Sequence, residues 1–270
     1  MKESDSMMKS KTKGTVLSQS CIAPGIYDLK IKTTLAADAH AGQFVGVFTK
    51  DASALLPRPI SICGVSDDKD SIRLVYRVAG KGTDEFSRLD EGDDVWLLGV
   101  LGNGYDISKL AAVGNTEPAR VLLLGGGIGI PPMLELAKEL KAAGVNSVSV
   151  MGYRDDKAFL LDEFTAYSDT YVATEDGSLG TKGNVLDAVR ENNIAFDCIC
   201  ACGPMPMLRA IKQFAGDKPA FISLEERMAC GVGACLGCVV KTKEVDHHSH
   251  VNNARICTDG PVFDASEVEI

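Results

Sequence analysis

The sequence is short of positive charge: 28 lysines and arginines face 37 aspartates and glutamates, for a formal net charge of −9. Nucleic-acid binding rests on a basic surface, so no RNA or DNA partner is expected. Long hydrophobic runs are missing as well. No apolar stretch approaches the ~20 residues of a membrane-crossing helix, and the polar beginning, MKESDSMMKSKTKG, lacks the apolar core of a secretory signal. These absences predict a soluble, cytoplasmic protein with no membrane partner. Histidine is scarce, and three of the four, His247, His248 and His250, fall in one polar stretch that reads as solvated loop rather than metal site. There is no internal repeat and no low-complexity segment, and residues 1–13 read as a flexible leader.

Cysteine, in contrast, is abundant. Nine in a reducing compartment, an odd number, argue for metal ligands or buried small side chains rather than disulfides. Cys230, Cys235 and Cys238 stand as C-x4-C-x2-C within LEERMACGVGACLGCVV, and Cys257 follows in ICTDGPVF, the spacing of plant-type 2Fe-2S sites. Three thiolates from one tight loop can grip one side of a small cluster while a distant fourth closes the other. Gly231, Gly233 and Gly237 suit that wrap, because glycine tolerates positive φ and lets N–H groups approach the sulfurs. Structural zinc and an unliganded core are the alternatives; zinc usually draws on paired short knuckles rather than one trio and a distant partner. Cys21 and Cys63 read as buried small side chains.

From Thr15 to about Asn115, short alternating segments at 27–31, 43–48, 72–76 and 95–98 are separated by Gly, Asp and Pro turns. That pattern predicts an antiparallel barrel or sandwich. After Pro118 the style changes. An apolar strand at 120–124 runs into GGGIGIPP and a helix at 133–143; strands at 147–151, 171–174 and 197–202 then accompany helices at 185–191 and 205–214. Such alternation makes a parallel sheet covered by helices. The predicted architecture is multi-domain: a β-barrel over 14–116, an α/β parallel-sheet nucleotide domain over 117–221, and a small C-terminal iron-sulfur module over 222–270.

Several stretches in the first two domains carry candidate chemistry. In Arg58-Pro59-Ile60-Ser61 a guanidinium beside a stiffened strand can take a phosphate, and the serine can offer its hydroxyl to a ring heteroatom. Val75-Tyr76-Arg77 precedes Gly82-Thr83, which could open a short helix with free N–H groups, or simply a capped turn. Gly125, Gly126, Gly127 and Gly129 form a glycine turn between strand and helix, suited to a dinucleotide phosphate, although Pro132 stands where the G-x-G-x-x-G fingerprint needs its third glycine. Cys198, Cys200 and Cys202 face one way along a strand, too spread to share one ion, so core packing is expected. Cys202 ends that strand beside Gly203, where open parallel sheets place ligands. After the strand at 147–151, Asp155 would bond ribose hydroxyls and repel a 2′-phosphate, whereas Arg154 would welcome one.

Together, R-P-x-S, the glycine turn ending in proline and C-G-P-x-P-M resemble the ferredoxin-NADP reductase superfamily. The order of units, with LEERMACGVGACLGC and CTDGPVF, is similar to the electron-transfer subunits of class 1B dihydroorotate dehydrogenases. The resemblance implies FAD on the barrel at Arg58 to Ser61, Val75 to Arg77 and Gly82-Thr83, NAD on the second domain, and a 2Fe-2S cluster on the four cysteines. It also implies a separate FMN-containing dihydroorotate dehydrogenase catalytic subunit, in a heterotetramer, and a role in pyrimidine biosynthesis. NAD exchanges a hydride and a cluster exchanges single electrons, whereas FAD does both and must stand between them. Two rival readings are a related NAD(P)H-ferredoxin or other acceptor reductase subunit and a zinc-stabilised nucleotide-binding regulatory module. Met228 and Leu236, flanking the ligands, are expected to face outward as a docking surface.

Overall fold

The structure, a computed structural model, describes residues 10–113, 119–245 and 251–270. His247, His248 and His250 lie outside the described residues, as do the first nine residues of the expected leader and the junction at 114–118.

Six strands form a closed antiparallel barrel: β1 (Ser10–Ala23), β2 (Ile26–Lys32), β3 (Phe44–Phe48), β4 (Arg58–Val65), β5 (Ser71–Arg77) and β6 (Asp94–Leu101), in the order β1-β2-β5-β4-β3-β6. Two short helices, α1 (Lys81–Phe86) and α2 (Ile107–Ala112), accompany it. Its interior is filled by the inward alternate residues, Leu29 and Ile31 of β2 opposite Ile72 and Leu74 of β5. The period-2 pattern that predicted the barrel is thus the pattern of its filling. One expectation fails at the start of the chain. Residues 10–13 are strand rather than leader, paired with β6 from Ser10↔Gly99 onward. Lys11 and Lys13 lie on the outer face, where Lys13 pairs with Asp94 at 2.7 Å and Lys11 sits over the Trp96 ring.

The second unit comprises β7 (Arg120–Gly126), α3 (Ile130–Ala142), β8 (Asn146–Tyr153), α4 (Leu161–Thr165), β9 (Asp169–Thr174), β10 (Thr181–Lys182), α5 (Val185–Glu191), β11 (Cys198–Cys202), α6 (Met205–Ala215) and β12 (Ala220–Ser223). β7 carries an unbroken apolar run because helices cover both of its faces; Val121 and Leu123 enter one core, Leu122 and Leu124 the other. Cys198, Cys200 and Cys202 pack in the first of these, as expected of small buried side chains. Cys63 is buried too. Cys21 is not: it is exposed, in the register irregularity between Cys21 and Ala23 that turns it out, and its Sγ donates to the Ala23 carbonyl at 3.1 Å.

Four more strands follow: β13 (Val239–Thr242), β14 (Asn253–Arg255), β15 (Val262–Asp264) and β16 (Val268–Glu269). β14, β13 and β16 make a small sheet, but β15 joins the large one, whose order is β10-β9-β8-β7-β11-β12-β15. All neighbours there run parallel except β15, which pairs antiparallel with β12. Ile256, Phe263 and Val268 accordingly share one core with Ile222 and with Phe44 and Leu101 of the barrel. The C-terminal unit is therefore built into the other two rather than appended to them.

Candidate functional site

The sheet's order reverses beside β7, whose sequence neighbour β8 lies on one side and β11 on the other. Ligands of open α/β sheets bind outside the strand ends at such a point. Two cavities meet there, and the cysteine loop borders one of them.

The first cavity, about 530 Å³, has the barrel as one wall: Pro59, Ile60 and Ser61 of β4, Val75, Tyr76 and Arg77 of β5, and Thr83 of α1. Seven of the nine residues singled out in the barrel are brought together here. Arg58 and Gly82 stand beside it instead. The Arg58 guanidinium donates to the carbonyls of Ala54 and Leu56 and lies against Gly82, where a Cβ would collide with it. Thr83 Oγ1 accepts from the N–H groups of Ala79 at 2.9 Å and Gly80 at 3.2 Å, which folds the turn ahead of α1.

The second cavity, about 370 Å³, opens between the β7–α3 turn, with Gly126, Gly127 and Gly129, and the β11–α6 turn, with Gly203 and Pro204. Gly127 has φ 54, a left-handed turn that only glycine adopts at low cost. Gly125 does not line the cavity; a Cβ there would press on Met151 and Ile130, so its role is close strand-to-helix packing. The missing third glycine is explained by α3, which starts at Ile130. Pro131 and Pro132 occupy its first turn, where backbone N–H groups have no helical acceptor. Cys202 lies buried under the floor, with its Sγ 3.9 Å from Glu225 Oε1. Asp155 is turned away, its carboxylate taken by the backbone N–H (3.0 Å) and Nζ (3.3 Å) of Lys157. The groups that face the cavity at this end are Arg154 and Glu175. Glu175 was missed because it follows the strand next door, β9, and only the sheet brings it round.

Arg77, Ile128 and Glu225 line both cavities. Glu225 is open to solvent along the cleft yet walled by protein; that enclosure raises its carboxyl above the ordinary range, against the pull of Arg77 and the Cys202 contact.

The four cysteines come together at the far edge of the first cavity. Met228, two residues before Cys230, and Pro261, four after Cys257, both line that cavity. Burial would raise Cys230, but the N–H of Val232, the Cys235 side chain, and the N–H groups of Cys235 and Ala234 outweigh it and lower the thiol to about 6. Cys257 is pushed up to about 11 by burial, then by its neighbours Cys238 and, more weakly, Cys230. Among the described residues no three Cys, His, Asp or Glu groups converge on a single ion; a two-iron cluster distributes its four thiolates over two metals. N–H groups aimed at sulfur and an all-thiol donor set fit such a cluster. Gly231 (φ 68) and Gly233 (φ 81) take the left-handed turns, and Gly231 lies on Leu98 and Leu101 of β6. Gly237 does not share that role: the third left-handed residue is Leu236, φ 54, which is 64% exposed. Met228 departs from expectation, since it is half-buried and packs on the shared core.

A barrel, a parallel sheet opening on the same cleft and a four-thiol loop at its edge define an electron-transfer oxidoreductase of the ferredoxin reductase fold joined to an iron-sulfur domain. Residues 225–269 match the family described as the iron-sulfur cluster binding domain of dihydroorotate dehydrogenase B. The chain is 43% identical over 260 residues to the dihydroorotate dehydrogenase B (NAD(+)) electron transfer subunit of Bacillus velezensis, covering 95% of this chain and 98% of that one. It is 41% identical over 263 residues to that of Fusobacterium nucleatum, covering 95% and 97%. Among solved structures, a chain of an NADH-dependent reduced ferredoxin-NADP oxidoreductase superposes with a TM-score of 0.82 at 31% identity, over 95% of this chain and 89% of that one. A ferredoxin NADP+ reductase from Neisseria gonorrhoeae shares the fold, with a TM-score of 0.64 at 15% identity over 80% and 94%. The chain belongs to the electron transfer subunits of dihydroorotate dehydrogenase B (NAD(+)).

Proposed function

We propose that this subunit carries electrons from the FMN of a separate dihydroorotate dehydrogenase catalytic subunit, through a 2Fe-2S cluster and FAD, to NAD in the cytoplasm. FAD would occupy the cavity walled by Pro59 to Ser61 and Val75 to Arg77, with Arg58, Gly82 and Thr83 beside its phosphates. NAD would occupy the cavity at Gly126, Gly127, Gly129 and Gly203, over Gly125 and Cys202. Cys230, Cys235, Cys238 and Cys257 would hold the cluster. The units would span 14–116 (with strand from Ser10), 117–221 and 222–270, in a heterotetramer with the catalytic subunit. The described residues contain no helix long and apolar enough to cross a membrane.

One observation carries the reading. The barrel cavity shares Arg77, Ile128 and Glu225 with the sheet cavity and is bordered by both ends of the cysteine loop. A flavin supplies the conversion between a hydride and single electrons, and the middle cavity is where that conversion is needed. The protein's own groups bind and exclude: Ser61 and Arg77 present polar atoms to the ring and phosphate regions, while Ile60, Val75 and Ile128 keep the cleft apolar. Dihydroorotate-dependent NAD reduction by the subunit mixed with its catalytic partner, and none by either alone, is the expected result; reduction by this subunit alone would refute it.

The likeness to the ferredoxin-NADP oxidoreductase chain supports a second reading, a reductase subunit with ferredoxin or another acceptor. Ferredoxin turnover that outpaces transfer from the catalytic subunit would favour it.

A further inference from the structure

Helix α3 runs from the sheet cavity onto the barrel, whose strands wall the other cavity. It starts at Ile130, directly after the Gly127–Gly129 turn that lines the sheet cavity. One turn further on, Glu135 Oε2 accepts the N–H of Val65 at 3.1 Å. Four residues on, Glu139 Oε1 accepts the N–H of Ala41 at 2.8 Å. Val65 ends β4, whose other end walls the flavin cavity, and Ala41 leads into β3, whose Phe44 lines the same cavity. Between the two carboxylates, Lys138 donates to the Val65 carbonyl at 3.0 Å and to Asp67 at 2.7 Å. Carboxylates at i and i+4 point from one helix face, so three consecutive polar contacts seize the barrel backbone itself rather than flexible side chains.

Glu135 is 5% exposed, an uncommon place for an acid that neither cofactor needs. The titratable groups around it are Lys138 and Glu139 on α3, Lys30 on β2, Asp67 after β4, Cys63 on β4, Arg73 on β5, and Glu163 with Tyr167 from the α4 region. Arg73 is already committed to Asp28 (2.7 Å) and Glu163 (2.5 Å), another link between the two units. Hydride transfer tolerates little misplacement of donor and acceptor, so whatever fixes the angle between barrel and sheet acts on the rate.

The geometry points to Glu135 and Glu139 as positioning residues that hold the nicotinamide cleft in register with the flavin cleft through α3. This rests on the proposed placement of NAD and FAD. Burial pushes Glu135 up to about 7, with the Val65 N–H and Lys138 opposing and Glu139 and Asp67 adding to the rise. A carboxyl raised in the folded state contributes stability that is complete below its ordinary value and is lost as pH rises through the folded one. Above about 7 the buried charge lowers stability, although the Val65 N–H and Lys138 contacts themselves favour the ionised carboxylate.

The test uses the holoprotein, with Glu135→Gln, Glu135→Ala and Glu139→Ala, and two readouts. Amide hydrogen exchange at Val65 and Ala41 reports the clamp directly; single-turnover reduction of bound FAD by NADH, across pH, reports its consequence. The alanine variants are expected to lose protection at those two amides, keep their FAD, and transfer hydride roughly ten- to a hundredfold more slowly. Glu135→Gln retains a carbonyl acceptor for the Val65 N–H, so it should keep near-parental rates while losing the fall in stability above neutral pH. Parental hydride rates in alanine variants that have lost protection would overturn the inference alone. A parental protein that NADH cannot reduce would instead sink the nicotinamide reading, and the inference with it.

Discussion

The four cysteines differ in burial, and that difference makes the proposed cluster testable residue by residue. Cys238 and Cys257 are buried in the core shared by all three units, whereas Cys235 is exposed. Serine at any of the four should cost the cluster and electron transfer to or from the partner while leaving FAD bound. Serine at Cys238 or Cys257 should also lower stability by roughly 1–3 kcal/mol beyond that of Cys235→Ser, because it leaves a hydroxyl in an apolar core. Iron and sulfide analysis with thermal melts of the four variants checks both parts; a full iron complement in one variant removes that residue from the ligand set. In the sheet cavity proposed for NAD, Glu175 and Arg154 line the wall beyond β8 and β9, whereas Asp155 does not. Glu175→Gln should improve kcat/KM with NADPH by roughly tenfold, about 1.4 kcal/mol, because a carboxylate that repels a 2′-phosphate is removed. Asp155→Asn should leave the ratio of NADH to NADPH use unchanged.

At the scale of elements, the cysteine loop divides its apolar neighbours. Met228 turns in toward the barrel cavity and the core, whereas Leu236 stands out in a left-handed conformation that bulky residues rarely hold, with Val232 and Val239 also exposed nearby in sequence. The proposal that the catalytic subunit docks on the loop tip therefore rests on Leu236, between Cys235 and Cys238, and not on Met228. Leu236→Glu should weaken assembly at least tenfold, measured by sedimentation of the mixed subunits, and leave NADH reduction of bound FAD unchanged; unaltered assembly would place the surface elsewhere. Met228→Glu should fail differently, by lowering FAD occupancy. Much of the fold was legible because its signals are local: alternation in β2 and β5, the unbroken apolar run of β7, and the cysteine spacing. What escaped was non-local or short. Lys11-Thr12-Lys13 reads as a solvated leader until β6 is alongside. Val262–Asp264 is too short to carry a period, so nothing in it announces that it completes the large sheet. Glu175 and Glu225 enter the site only because β9 and β12 end beside β8 and β11.

For the molecule as a whole, the proposed order of the cofactors follows the order of the cavities. The sheet cavity meets the barrel cavity at Arg77, Ile128 and Glu225, and the barrel cavity meets the cysteine loop at Met228 and Pro261. On the proposed placement of NAD and FAD in these cavities, electrons from NADH cross the flavin to reach the cluster. The direct measurement is anaerobic reduction of the isolated subunit by NADH, with flavin absorbance and the paramagnetic signal of the reduced cluster followed together, in parental and flavin-depleted protein. Flavin bleaching followed by cluster reduction in the parent, and an oxidised cluster in the flavin-depleted protein, is the predicted outcome. A cluster that NADH reduces equally fast without flavin would contradict it.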